Sequence, residues 1–390
     1  MARITIWIVA LVTVVFSQDL VERFRSMSRD AEKKGLAEPF KGVTANGTVE
    51  PGLFAVKSTG VSTEPVRKAA AAFLSALTDE QRTKTKFAVD DDEWRKWMNQ
   101  HFYLRQGIGF EDMNDKQKDL AFAMMKAALS AKGLKLSRDI MRLNETLGEL
   151  NKNDFVQYGE WKYWISIMGE PSKDKPWGWQ IDGHHLIVNY FVLGDQVVMT
   201  PTFVGSEPVI ATSGKYKGTS ILQEEQKAGL DLARTLTEAQ KSKAVLATAK
   251  DKNNNVGEAF KDNIVLDYAG IAVKEMTAAQ KKQVLALAKL YISNTDDGHA
   301  KVKMSEIEKH LDKTFFAWIG EMKDDSVYYY RIHSPVVLIE FDHQLPVGIR
   351  HLVANPKVPF HEHIHAVIRT PNGNDYGKDL LRQHYAMHKH

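Results

Sequence analysis

The sequence predicts an α+β fold of two pseudo-symmetric halves, each with paired helices followed by antiparallel strands, packed as one compact unit. Two observations carry that prediction. A short pattern (an apolar residue, Thr or Asn, two residues, then Gln) recurs at Leu77-Thr78-x-x-Gln81, Met113-Asn114-x-x-Gln117, Leu236-Thr237-x-x-Gln240 and Met276-Thr277-x-x-Gln280. Residues 164–170, Trp-Ile-Ser-Ile-Met-Gly-Glu, also match residues 315–321, Phe-Phe-Ala-Trp-Ile-Gly-Glu, at an offset of 151 (315 against 164). Without a gap, that offset carries Trp179-Gln180-Ile181 onto Tyr330-Arg331-Ile332 and Leu186-Ile187-Val188 onto Val337-Leu338-Ile339.

The elements follow in chain order. An uncharged run from Ile4 to Phe16 has the length of a signal-peptide core and is short for a bilayer span, so residues 1–17 read as a signal peptide. Residues 18–65 are polar and broken by Gly-Thr, Pro-Gly and Thr-Gly, which reads as an extended N-terminal arm. The first half is expected over 66–215 and the second over 216–390. Each recurring pattern is a helix start. Thr or Asn accepts from a backbone amide that lacks an intrahelical partner, and Gln three residues on reaches back. In each half the strands that follow are separated by polar turns, at Pro171–Pro176 and at Lys323-Asp324-Asp325-Ser326.

Composition narrows the function. The chain has 390 residues and a net charge of only +3, with basic residues spread over amphipathic helices. That disfavours a nucleic-acid or anionic-membrane surface. It has no cysteine, which removes thiolate catalysis, iron–sulfur clusters and cysteine zinc sites. Any metal must then be held by nitrogen and oxygen ligands. Gly-x-Ser-x-Gly, the phosphate-binding Gly-Lys-Ser/Thr loop, Gly-x-Gly-x-x-Gly after a strand and His-Glu-x-x-His are all missing.

The polar residues with chemical potential lie in three places. His361-Glu-His363-Ile-His365-Ala-Val-Ile-Arg369 reads as a strand with His361, His363, His365 and Arg369 on one face. Adjacent histidines there are about 6.6 Å apart along the strand, so two imidazoles converge on one ion more easily than three. His363 and His365 are the expected pair, with His361 at the edge. Glu340 and Asp342 share a face of the apolar strand Val336–Gln344, and the offset sets Asn189 and His185 on the equivalent face. Gly183 leaves open whether His184 or His185 points inward. The expected metal ligands are therefore His363, His365, His184 or His185, and Glu340. The ion is a divalent metal, with zinc placed ahead of copper, iron or manganese. Asp342 or His343 is the expected acid or base. Arg369 is expected to orient the substrate. Asp375 either orients a ligating histidine or closes the turn Thr370–Asp379 and pairs with Arg369.

Trp177-Gly-Trp-Gln-Ile-Asp-Gly-His-His-Leu186, Ile339-Glu-Phe-Asp-His-Gln344, His363-Ile-His365 and Arg369-Thr-Pro-Asn-Gly-Asn-Asp-Tyr-Gly-Lys-Asp-Leu-Leu-Arg-Gln-His-Tyr385 together resemble a bacterial family catalogued as domain-of-unknown-function family 3500. The resemblance implies one family-wide unit spanning both halves and brings no reaction with it. The residue chemistry alone predicts an exported (periplasmic or secreted) metal-dependent enzyme acting on a small-molecule substrate, hydrolytic through a metal-bound water. No nucleic acid is expected, and no membrane after signal cleavage. A copper or iron redox enzyme at the same ligands and a non-catalytic metal or small-ligand binding protein are the alternatives.

Overall fold

A computed structural model of the chain describes residues 22–388, so the expected signal peptide lies outside the described residues. Helix α1 covers residues 22–35. This corrects the extended reading of that stretch: Glu22 and Arg25, three apart, meet at 2.5 Å on one helical face. The remainder up to residue 63 is irregular. Helices α2 (Glu64–Ala76), α3 (Asp79–Thr85), α4 (Asp115–Ala128) and α5 (Ala131–Leu150) follow. Later come α6 (Gln223–Arg234), α7 (Glu238–Ala244), α8 (Ala278–Ile292), α9 (Asp297–Lys309) and α10 (Lys378–Met387). All four predicted helix starts close reciprocally: Thr78, Asn114, Thr237 and Thr277 accept from the amide of a Gln whose side chain accepts from theirs. The pairs also meet each other, Gln81 with Gln117 and Gln240 with Gln280.

The fold is a mixed α+β arrangement around one large sheet. Its strands are β1 (Lys86–Phe87), β2 (Ile108–Gly109), β3 (Tyr163–Met168), β4 (Trp177–Gly183), β5 (Leu186–Leu193), β6 (Gln196–Val198) and β7 (Thr202–Ser206). Then follow β8 (Val245–Ala247), β9 (Ile271–Ala272), β10 (Phe315–Gly320), β11 (Tyr328–His333), β12 (Leu338–His343) and β13 (Ile364–Arg369). The spatial order is β1-β3-β4-β5-β7-β13-β12-β11-β10-β8, with β2 beside β3, β6 beside β5 and β9 beside β10. The ladders are antiparallel except β1–β3 and β8–β10.

The two faces of the sheet differ, because side chains alternate along each strand. On one face, Tyr328, Tyr330 and Phe341 stack beneath helices, and the Tyr330 hydroxyl meets Tyr291 of α8 at 2.5 Å. On the other face lie Gln180, Asn189, Glu340, Asp342 and His365. A short 3-10 turn, Asp92–Arg95, and irregular chain cover them: Gln180 donates to the Trp94 carbonyl, and Glu340 accepts from the amides of Val256 and Gly257. Among the described residues no helix is long and apolar enough to cross a membrane.

Candidate metal centre

β13 lies at the middle of the sheet, and its alternation sends His365 toward the loop-covered face. Its neighbours there are Asp342 on β12 and Gly205 on β7. Glycine at 205 is required by space, since a Cβ would lie 2.4 Å from the Ile364 carbonyl oxygen and 3.3 Å from Cδ2 of the His365 ring. His363 stands two residues earlier and points the same way. The third imidazole comes from the β4–β5 hairpin, whose two-residue tip is His184-His185. His185 adopts φ 62°, the left-handed region that L-residues with a Cβ avoid, and this turns its ring toward β13.

The three Nε2 atoms form a nearly equilateral triangle. His185 is 3.2 Å from His363 and 3.1 Å from His365, and His363 is 3.0 Å from His365. All three residues are buried. Among the described residues this is the group of three His, Asp or Glu side chains whose ligand atoms all lie within 4.8 Å of one another.

Hydrogen bonding dictates which nitrogens face inward as lone pairs. His363 Nδ1 lies 2.7 Å from the Leu345 carbonyl, which only accepts, so Nδ1 carries the proton and Nε2 the lone pair. His365 Nδ1 lies 2.7 Å from a carboxylate oxygen of Glu258, which sets the same tautomer. With both rings neutral in that tautomer, as metal ligands must be, the 363–365 edge sets lone pair against lone pair. A cation at the triangle turns that repulsion into coordination. Burial first, and the neighbouring imidazoles second, hold His185 and His365 well below the ordinary histidine range, hence neutral as ligation requires.

Residues 250–262, which carry Glu258, are held by buried charges from the sheet. Glu340 accepts from Val256 N at 3.0 Å, Gly257 N at 2.7 Å and the Tyr329 hydroxyl at 2.7 Å. Asp342 accepts from Asn254 N at 2.6 Å and Asn255 N at 3.1 Å, and pairs with Lys250 at 3.1 Å. Burial pushes the Asp342 carboxyl up to about 7, against the pull of Lys250. Arg369, with no exposed surface, donates to the carbonyls of Gly257 and Lys261 and pairs with Asp262 at 2.6 Å and Asp375 at 2.7 Å.

The structure therefore brings together His185, His363 and His365 from the expected ligand set and places the others elsewhere. His184 stacks on His185 with ring centroids 4.0 Å apart, and its Nδ1 meets Asn144 at 2.8 Å. Glu340 faces the loop amides rather than the triangle. Four of the five N–H donors of the fully buried Arg369 are taken up by protein, and Asp375 holds Arg369 and the Thr370 amide rather than a ligating histidine. Asp342 is engaged by the loop. His343 lies on the opposite face of the sheet, its Nδ1 accepting from Tyr328 N and its Nε2 meeting Gln226 at 2.7 Å. His361 stays at the edge and meets the Asp325 carbonyl. Glu258 escaped the sequence reading because Asn253-Asn-Asn-Val-Gly-Glu258 has no periodicity. The signal was indirect: three buried charges on β12 and β13 with no partner within their own strands.

The family model described as "Protein of unknown function (DUF3500)" matches residues 59–378. The chain belongs to this family. The matched span of this DUF3500 protein contains the three histidines, Glu258 and all the residues that hold its loop. No curated protein and no solved structure matches the chain.

Proposed function

We propose that this DUF3500 chain is an exported, metal-dependent enzyme whose divalent ion is held by His185, His363 and His365. The observation that carries the reading is the triangle of buried Nε2 atoms with edges of 3.0–3.2 Å. Three imidazoles fill one side of an ion and leave other positions open, the ligand count of catalytic rather than structural zinc. A water bound at such a position is acidified toward neutrality, which supports hydrolysis of a small polar substrate. Glu258 acts by fixing the His365 tautomer and ring. Asp342, His343, Arg369 and Asp375 are left out of the chemistry, since each is bound to protein groups away from the triangle.

A copper or iron redox enzyme is the second reading, and one observation favours it. With metal–nitrogen bonds of about 2.1 Å, cis-octahedral ligands lie about 3.0 Å apart and tetrahedral ligands about 3.4 Å apart. Two of the edges, 3.0 and 3.1 Å, sit nearer the first value, and the third, 3.2 Å, lies midway. Loading the full chain separately with zinc, manganese, iron and copper and assaying activated esters and phosphoesters separates the readings. Hydrolysis that is lost with chelator and with His365→Ala and restored by zinc supports the first. Copper- or iron-loaded protein that consumes oxygen and hydrolyses nothing supports the second. Inactivity in both assays with every metal leaves neither standing.

We also propose that the two halves, 66–215 and 216–390, are pseudo-symmetric, with the centre at their junction. Support comes from strand registers. Trp164 pairs with Asp182 and Phe315 with His333; Gln180 pairs with Asn189 and Arg331 with Glu340. The parallel edge pairs Ile167 with Lys86 and Trp318 with Val245. In the two antiparallel comparisons both partners lie 151 positions on (315 and 333 against 164 and 182, 331 and 340 against 180 and 189), whereas on the parallel edge Trp318 lies 151 beyond Ile167 and Val245 lies 159 beyond Lys86. Export rests on the uncharged run of residues 4–16, and recovery of a chain shortened by that segment from the cell envelope or medium tests it.

A further inference from the structure

A cavity of about 540 Å³ lies on the opposite face of β13 from the histidines, within the size range of small-ligand sites. Ile368 and its cross-strand partner Thr202 form part of its wall, and they alternate with the residues that face the metal centre. The remaining wall comes mainly from β6 and the two residues after it, from α8, α9 and α10, and from the segment 52–59. That segment is pinned through its backbone: Gln383 donates to the Phe54 carbonyl at 2.8 Å, Gln196 donates to the Ala55 carbonyl at 3.0 Å, and Gln196 accepts from Lys57 N at 2.8 Å.

The cavity is polarised. Its deep end is apolar, with Val198, Ile292, Ile368 and Leu380 all buried. The hydroxyls there are already used, Thr200 on Thr370 at 2.8 Å and Thr202 on the Met199 carbonyl at 2.8 Å. Lys57 and Lys309 stand exposed at the outer end. Glu306 is neutralised by Lys303 at 2.7 Å. The lining lysines less the lining carboxylate leave an excess of two positive charges (Lys57, Lys303 and Lys309 against Glu306).

We propose that this cavity is a second ligand site, separate from the metal centre, that takes an amphiphile with an apolar chain and an anionic head. The chain lies along Ile368, Ile292 and Leu380, and the carboxylate or similar head is met by Lys57 and Lys309. Calorimetric titration of the full chain with decanoate, with decan-1-ol as the uncharged counterpart, tests the assignment. Decanoate binds once per chain. Decan-1-ol binds about tenfold more weakly, which corresponds to losing one charge-assisted contact. Ile368→Trp fills the deep end and abolishes decanoate binding. Val302→Trp, at an exposed rim position that the fold tolerates, weakens it. Lys57→Glu combined with Lys309→Glu weakens decanoate and leaves decan-1-ol unchanged, and metal content is the same throughout. The proposal is overturned if decanoate does not bind at millimolar concentration. It is overturned equally if neither tryptophan variant changes the binding, or if decan-1-ol matches decanoate.

Discussion

His185 holds a left-handed backbone conformation, φ 62°, with its ring buried against two other imidazoles. Such a position costs a residue bearing a Cβ about 1 kcal/mol or more, so the surrounding structure imposes it. Asparagine tolerates the same backbone but has no imidazole nitrogen. His185→Asn is therefore expected to keep the metal-free melting temperature within a degree or two and to lose the ion, by differential scanning fluorimetry beside metal analysis. A fall of many degrees would make His185 a packing residue instead. Glu93 presents the opposite case, a buried carboxyl whose Oε2 is met only by Lys96 Nζ at 3.4 Å. Burial pushes it up to about 7 from 4.5, with Lys96 pulling the other way. Between those values the folded chain binds more protons at this site than the unfolded chain. Its contribution is thus fully present below about pH 4.5 and is lost as pH rises through 7. Glu93→Gln should accordingly raise the urea midpoint more at pH 8 than at pH 5, and an equal shift at both would refute the burial argument.

At the level of elements, β13 was legible because His363, His365 and Arg369 repeat at the period of two while Ile364, Ala366 and Ile368 fill the alternate positions. The four helix starts were legible because a capping box is a local device that spans only four residues. The loop 250–262 was not, since its conformation is written in Glu340, Asp342 and Arg369, which lie far along the chain and reach it only after the sheet has formed. For the same reason Arg369 looked like a substrate clamp: a lone arginine beside a histidine pair has the same appearance whether its partners are ligand or protein. Removing it strands Asp375 in the interior and leaves the buried Asp262 only Arg95, at 2.9 Å, and the Tyr376 hydroxyl. Arg369→Met is expected to cost about 3–5 kcal/mol in urea unfolding, the range for breaking a buried ion pair from one side. A loss below about 1 kcal/mol would return Arg369 to the list of substrate-binding candidates.

Across the whole molecule, the sheet delivers the centre by joining β7 to β13, so the hairpin tip of one proposed half meets the strand of the other. The offset of 151 anticipated the hairpin registers, but it does not extend to β7 and β13: Ile187 pairs with Phe203, whereas Leu338 pairs with Arg369 across a longer connection. That longer connection and the strained hairpin tip decided between His184 and His185, and neither is visible as periodicity. Sequence spacing along one strand also could not show that Glu340, fully buried on the correct face, would be captured by loop amides instead of an ion. The central claim is that three imidazoles hold one ion. The most direct test is titration of metal-free protein with zinc and copper, with bound metal counted by elemental analysis, for wild type and for His185→Asn, His363→Ala, His365→Ala and His184→Ala. One ion per wild-type chain is predicted, retained by His184→Ala, with affinity lower by about a hundredfold or more in each of the other three variants. Wild type that binds no ion, or loss with His184→Ala while the other three bind normally, would contradict the claim.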